Sequence, residues 1–314
     1  MAWVIDRLRG ERTDARKTVT FGDASAVRNL PMWSVLTVVG LIVFWWVATT
    51  AWGLPQSFVD ANPDLTDKQL LAACDRDASC EDSYFQLASP RTFPSLNDTW
   101  NALFELLDIG YRNISLFEHT TTSLWRVIRG MFFGIVFGVP IGFAMGLSSR
   151  LRSIFDGPVE LLRPIPPLAL IPLFILVFGI GDASAVPLLI FASIWIMIIA
   201  ARSGIRTANL SKVRAAYSLG ASKRQVLSKV LLPNALPELF TGVRVALGVS
   251  WGTLVAAELV GTDTGLGSMI FQARNFSRLD VVVVGIIIIA VLGVLMDVLL
   301  RLLEARLIPW RGKG

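Results

Sequence analysis

Gly248-Val-Ser250-Trp-Gly252 has the spacing of a nucleophile elbow, in which a serine hydroxyl is raised on a strand-to-helix turn to attack an acyl carbon. Such a serine needs a base beside it, and the chain holds one histidine, His119. Ser250 falls in the middle of one apolar run and His119 at the edge of another, so the two lie at different depths. The glycines and the serine therefore read as small packing residues, and no catalytic residue is expected. Five charged side chains also interrupt apolar runs: Arg126, Arg129, Arg244, Glu258 and Asp297. Charge inside such runs marks a functional candidate by default. Arg126, Ser250 and Glu258 are the candidates for a translocation path, and Arg126 is the one suited to an anion. Cys74 and Cys80, with five residues between them, suggest a small disulfide-closed loop on an oxidising side. Two cysteines and one histidine leave no basis for a metal site.

The elements that must carry these residues follow from composition. Of 314 residues, 54% are apolar and 17% charged, against about 45–50% and 25% in a soluble domain. The excess sits in long uncharged runs separated by basic clusters. The pattern predicts an all-α integral membrane protein with six transmembrane helices. These are residues 33–52, 130–147 (starting earlier, near Thr121), two from 165–201 broken at Gly179, Gly181 and Asp182, then 237–260 and 281–300. The consecutive valines and isoleucines of the last run favour strand in water. In lipid, where each segment must satisfy its own backbone, helix is expected.

Lys and Arg set the orientation. Residues 1–32, 148–163, 202–233 and 301–314 together hold 20 basic and 7 acidic side chains. Residues 53–118 hold four basic and eleven acidic ones. A multi-pass protein of the bacterial inner membrane with both termini cytoplasmic is expected. Its parts are a leader (1–32), a first span (33–52), an extracytoplasmic insert with an amphipathic helix (53–118), a core (119–308) and a tail (309–314). Within the core, Gly130, Gly134, Gly138, Gly142 and Gly146 recur every four residues, a continuous strip for close helix packing.

The segment 210–233 reads LSKVRAAYSLGASKRQVLSKVLLP. Ser211 is expected to cap one short helix, Gly220 to end it, Ser222 to cap a second, and Pro233 to close that one. The apolar side would run through Ala216, Leu219, Val226 and Val230. A helix-turn-helix on DNA has similar spacing, but this segment is tied to a span at both ends, so no nucleic-acid partner is expected.

Ala215-Ala216, Gly220, Val230, Leu232 and Pro233 resemble the EAA signature of ATP-binding-cassette (ABC) importer permeases, with Arg214 standing at the place of the family's acid. Ser123-Leu-Trp-Arg-Val127, Arg163 to Pro172, Phe178 to Gly181 and Ala257-Glu258 to Gly265-Leu-Gly267 are similar to the nitrate, sulfonate and taurine branch. The resemblance implies a type I ABC importer permease fold. It also implies that Arg214, Ala215, Ala216, Gly220, Ala221, Ser222, Val230, Leu232 and Pro233 belong to the element that couples to the ATPase. The implied partners are two ATPase subunits, a second permease copy, a periplasmic binding protein and membrane lipid. The chain has no G-x-x-x-x-G-K-[ST] loop, so no cofactor is expected on it and ATP belongs to the partner subunit. The implied cargo is a small anionic solute such as nitrate, a sulfonate or taurine. The alternative class is a secondary transporter or channel working without ATP. Against it, no span shows a mid-membrane pair of acids or a discontinuous-repeat signature.

Overall fold

The computed structural model describes residues 31–50, 60–62, 69, 73–74 and 93–310. Among these the regular elements are helices: α1 (Pro31–Thr49), α2 (Leu96–Asp108), α3 (Leu116–Leu147), α4 (Ser149–Leu162), a 3-10 turn (Pro167–Leu170), α5 (Ile171–Phe178), α6 (Asp182–Arg206), α7 (Leu210–Ser218), α8 (Lys223–Val226), a π-turn (Leu227–Leu231), α9 (Leu232–Gly261), α10 (Leu266–Asn275) and α11 (Leu279–Leu307). The Val/Ile-rich stretch of the last run lies within α11, a 29-residue helix, because in lipid only a helix satisfies every backbone group of an isolated segment.

Four of the described helical runs are long and apolar enough to cross a membrane: α3, α6, the continuous run Lys223–Gly261, and α11. The sequence count of six includes two weaker elements. One is α1, with 19 residues. The other, the third run, folds as the 3-10 turn followed by the eight-residue α5, bent by 80° against α4. Pro166 and Pro167 account for this, since the residue before each proline is pushed out of helical conformation, while Pro172 sits in the first turn of α5, where a missing donor costs nothing. The second run starts earlier than Thr121. Ser115 caps α3, its hydroxyl accepting from Glu118 N at 3.1 Å.

The described residues fall into two compact units: those up to Glu105 with Ser277–Val284, and Leu106–Phe276 with the residues from Gly285 on. In the first, Trp45 Nε1 donates to Pro94 O at 3.1 Å, and its ring meets Phe93 edge-on. Arg278 pairs with Glu105 (2.6 Å) and Asp280 (3.0 Å), and those carboxylates hold its guanidinium above the usual arginine range. In α2, Trp100 and Phe104 stack edge-on on the exposed side while Ala102 is buried. The insert expected at 55–88 lies outside the described residues apart from 60–62, 69 and 73–74.

The second unit is organised around α3, α6 and α9, whose Val127, Met131, Leu189, Met197, Ala246, Trp251 and Leu254 share one interior. The five glycines of α3 all meet α6. A Cβ on Gly138 would stand 2.8 Å from Ile194 O, one on Gly142 would stand 2.7 Å from Ala201 Cβ, and one on Gly146 would stand 3.0 Å from Ile205 Cβ. Gly130 and Gly134 face Leu189 and Ser193 in the same way. Gly204 against Ala235 and Gly242 against Ala200 repeat the device between α6 and α9. Without a hydrophobic force between helices in lipid, close approach of this kind supplies the attraction.

Candidate functional site

The segment between α6 and α9 is built from local rules. Asn209, not Ser211, caps α7: its side chain accepts from Ser211 N at 2.8 Å, which makes Leu210 the first helical residue. Gly220 ends the helix with φ +79°, a left-handed conformation that a side chain disfavours. Ser222 caps α8 in a reciprocal box with Gln225, which accepts from Ser222 N at 2.7 Å. Pro233 does not close this helix. The chain passes through the π-turn into α9, with Pro233 in the first turn, so that Lys223–Gly261 forms one 39-residue run. The wider π-turn relieves the clash a proline ring makes with the carbonyl four residues before it. The apolar side also differs from the sequence reading. Val226 is buried, whereas Leu219 is 88% exposed and Leu210 and Tyr217 are exposed with it. Arg214, Ala215, Gly220 and Ser222 are exposed, and Ala216, Ala221, Val230 and Pro233 are half-buried. The corner thus presents apolar side chains with nothing covering them.

At the other end of the long run lies a cluster of charge that is buried at Arg126 and Glu258 and open to the surface at Asp182 and Arg129. Glu258 is fully buried and Arg126 is 3% exposed. Arg126 Nη1 donates to Glu258 Oε1 (2.7 Å) and to Thr264 O (2.6 Å), and Nε donates to Asp182 Oδ1 (2.6 Å). Glu258 also accepts from Ser123 Oγ (2.8 Å) and from Gly267 N (2.8 Å). Ser123 Oγ accepts from Leu266 N (2.8 Å), and His119 Nδ1 accepts from Gly265 N (3.1 Å). Arg129 completes the set on the second oxygen of Asp182. Two arginines and two carboxylates make it neutral. The Gly-Leu-Gly motif follows from it. A Cβ on Gly265, at φ +120°, would stand 2.6 Å from Glu258 Oε2, and one on Gly267 would stand 2.9 Å from Glu258 Cβ. Opening such a cluster by removing one partner costs about 3–5 kcal/mol, because the other charge is left buried and unpaired.

This placement changes the reading of Arg126 and Glu258. Nε and both Nη1 hydrogens are engaged by Asp182, Glu258 and Thr264 O, and Nη2 donates to Thr264 Oγ1 at 3.3 Å, so the protein itself holds four of the five N–H groups that could meet a passing anion. Ser250, the third translocation candidate, is buried within α9, apart from this cluster. Asp182, Ser123, Thr264, Gly265, Gly267 and His119 are the residues that sequence reasoning did not join to the pair. The available signal was depth. With alternating spans, the starts of α3 and α6 and the end of α9 all fall at the same side.

Arg244 pairs with Glu304, which is 4% exposed, and stands 3.9 Å from Asp297, itself held by Arg301 at 2.7 Å. Glu304→Leu is expected to destabilise the protein by roughly 2–3 kcal/mol by leaving Arg244 underpaired. The double change Arg244→Leu/Glu304→Leu should recover most of that in thermal melts in detergent, and equal losses for single and double variants would contradict it. Cys74 is buried and disulfide-bonded, while Cys80 lies outside the described residues.

Residues 134–309 match the family described as binding-protein-dependent transport system inner membrane component. The chain is 43% identical over 229 residues to the taurine transport system permease protein TauC of Escherichia coli, covering 73% of this chain and 83% of that one. It is 40% identical over 196 residues to a Bacillus subtilis protein described as an aliphatic sulfonates transport permease, SsuC, covering 62% and 71% respectively. Among solved structures, an inward-facing form of the MetNI methionine ABC transporter is similar with a TM-score of 0.54 at 22% identity, over 61% of this chain and 95% of that one.

Proposed function

Since the chain belongs to the binding-protein-dependent transport inner membrane component family, and is thus the non-enzymatic permease of an ABC importer that works with a separate ATPase and a binding protein, we propose that it passes a small sulfonate-type solute inward as one of two identical copies. Each copy then meets one of two ATPase subunits through the corner at Leu219-Gly220. The observation that carries this reading is that corner: a sharp, capped turn whose leucine is 88% exposed at the head of a 39-residue helical run. Large apolar side chains exposed together mark a partner site, and Leu219 is exposed along with Leu210 and Tyr217 of the same short segment. The excess of Lys and Arg over Asp and Glu in residues 1–32, 202–233 and 301–314 supports a cytoplasmic side for the corner, both termini and the coupling residues.

The second copy is supported by the surface of α9. Elsewhere the exposed faces carry large side chains suited to lipid, such as Phe132, Phe137, Ile286 and Leu295. Along α9 the exposed stripe is Thr241, Val245, Gly248, Val249 and Gly252, and a Cβ on either glycine would meet nothing within 4 Å. Such a face suits a seam or a path between copies rather than acyl chains. Sulfonate cargo is supported by what TauC and SsuC are named for. Four of Arg126's five N–H groups are held by Asp182, Glu258 and Thr264, which argues against it as the contact for the solute's charge.

Proteoliposomes containing this chain, its cognate ATPase and its binding protein are expected to accumulate taurine or an alkanesulfonate only with ATP. Uptake without any ATPase would overturn the coupling reading in favour of a secondary transporter. Uptake of neither sulfonate, with another solute retained by the binding protein, would overturn the cargo.

A further inference from the structure

The neutral cluster at the end of α9 is more completely satisfied than structural fastening of one helix pair requires. It joins α3 through His119, Ser123 and Arg126, α6 through Asp182, α9 through Glu258, the loop into α10 through Thr264 and Gly265, and the first turn of α10 through Gly267. Gly181 N adds a backbone bond to Gly261 O at 2.6 Å, tying the start of α6 to the end of α9. Below it the same three helices touch at backbone distance along their glycine contacts. The helix that carries Glu258 is also the one that begins at the coupling corner, without a break from Lys223 to Gly261. A buried carboxylate that accepts from Arg126, Ser123 and Gly267, and a buried guanidinium with four of its five N–H groups bonded, would lose these partners in any other arrangement.

We propose that Ser123, Arg126, Asp182 and Glu258 are positioning residues of transport. They form a permanent clasp that makes α3, α6 and α9 one rigid body, which keeps its internal geometry while access alternates at its outer surfaces. A displacement of the corner at one end then arrives at the far end undiminished, because the helices that carry it cannot slide past one another. The inference rests on the transport function given above but assigns it a mechanical part that neither the coupling corner nor the cargo specifies.

The test uses the complete complex in proteoliposomes. Trp125 and Val260 flank the clasp on α3 and α9 and are 58% and 67% exposed. Spin labels at Trp125→Cys and Val260→Cys, in a Cys74→Ser/Cys80→Ser background and diluted with unlabelled permease, report the distance across it. The expected result is the same distance distribution without nucleotide and after trapping with ATP and vanadate. A second, longer population on trapping would show a latch that opens in each cycle and would overturn the proposal. Uptake in the same liposomes reports separately on the transport function. Ser123→Ala removes the hydroxyl that bridges Glu258 and Leu266 N while leaving both charges paired, so the fold tolerates it. It is expected to broaden the distance distribution and to lower solute moved per ATP hydrolysed severalfold, with the ATPase rate near that of the parent. An unchanged transport-to-hydrolysis ratio in this variant would reduce the cluster to a purely structural contact.

Discussion

Gly142→Leu is expected to eliminate folded protein from the membrane, whereas Gly40→Leu is expected to leave folding intact. A Cβ on Gly142 would stand 2.7 Å from Ala201 Cβ and 3.0 Å from the carbonyl carbon of Ile198. Neither neighbour is the far end of a flexible side chain, so neither can swing aside. Gly138 and Gly146 hold the same two helix axes close on either side, and α3 and α6 would have to part along their whole contact to admit a leucine. Overpacking at a fixed site costs about 1–3 kcal/mol, and separation of the pair adds lost dispersion along the strip, in a medium where packing is the main attraction between helices. Against a total stability of roughly 5–15 kcal/mol this is a large fraction. Gly40 lies on an exposed face of α1, outside the α9 stripe, where a Cβ meets nothing within 4 Å, and leucine there raises helix propensity by nearly 1 kcal/mol. Monodisperse yield on size exclusion in detergent separates the two. Similar yields would mean that the α3–α6 strip is not the contact that holds the fold.

That strip was legible because its signal is one-dimensional: five glycines at constant spacing on one helix name a face, and the face needs a partner whatever the partner is. The third apolar run was less legible. Hydropathy counts its residues as a span, but Pro166 and Pro167 decide its geometry, and the chain uses it as a 3-10 turn and an eight-residue helix bent 80° from α4. Pro233 misled in the opposite direction. A proline usually ends a helix, yet here the preceding π-turn widens the backbone enough to carry the helix through it, and nothing in the residues Leu227–Leu231 announces that turn.

Within the candidate site the split is between local and distant contacts. Gly220 and the Ser222–Gln225 box are fixed by neighbours within a few residues, so spacing alone exposes them. Arg126 and Glu258 are 132 positions apart, and each by itself looks like a charge awaiting a substrate. Their pairing becomes visible only when Asp182, Ser123, Thr264 and the Gly267 backbone arrive from other elements. A charge in a span is therefore a weak sign of substrate contact until its partners at the same depth have been counted. In this chain each of Arg126, Arg244, Glu258 and Asp297 has a protein partner.

Leu219→Asp is expected to abolish solute uptake while leaving the permease folded and the ATPase catalytically competent. Leu219 is 88% exposed beside Gly220, so the substitution removes no intrachain packing, and the nearby Arg214, Lys223 and Arg224 receive a carboxylate without repulsion. The whole effect then falls on the partner surface. Burying a leucine side chain contributes about 1.5–3 kcal/mol, and an aspartate in its place has to be desolvated, adding roughly 1–3 kcal/mol when no donor answers it. At 1.4 kcal/mol per decade, docking at each corner weakens by more than about tenfold. In a complex with two such corners the penalty is incurred twice. Gly220→Trp is a less clean probe, because at φ +79° any side chain strains the backbone as well as crowding the partner. The measurement is a pair of rates in the same proteoliposomes: uptake, which should fall to background, and ATP hydrolysis, which should lose its stimulation by loaded binding protein but keep its basal value. Uptake within a small factor of the parent would place the docking surface elsewhere along α7 and α8. Loss of basal hydrolysis would mean that the corner acts on the ATPase's chemistry rather than on transmission of its motion.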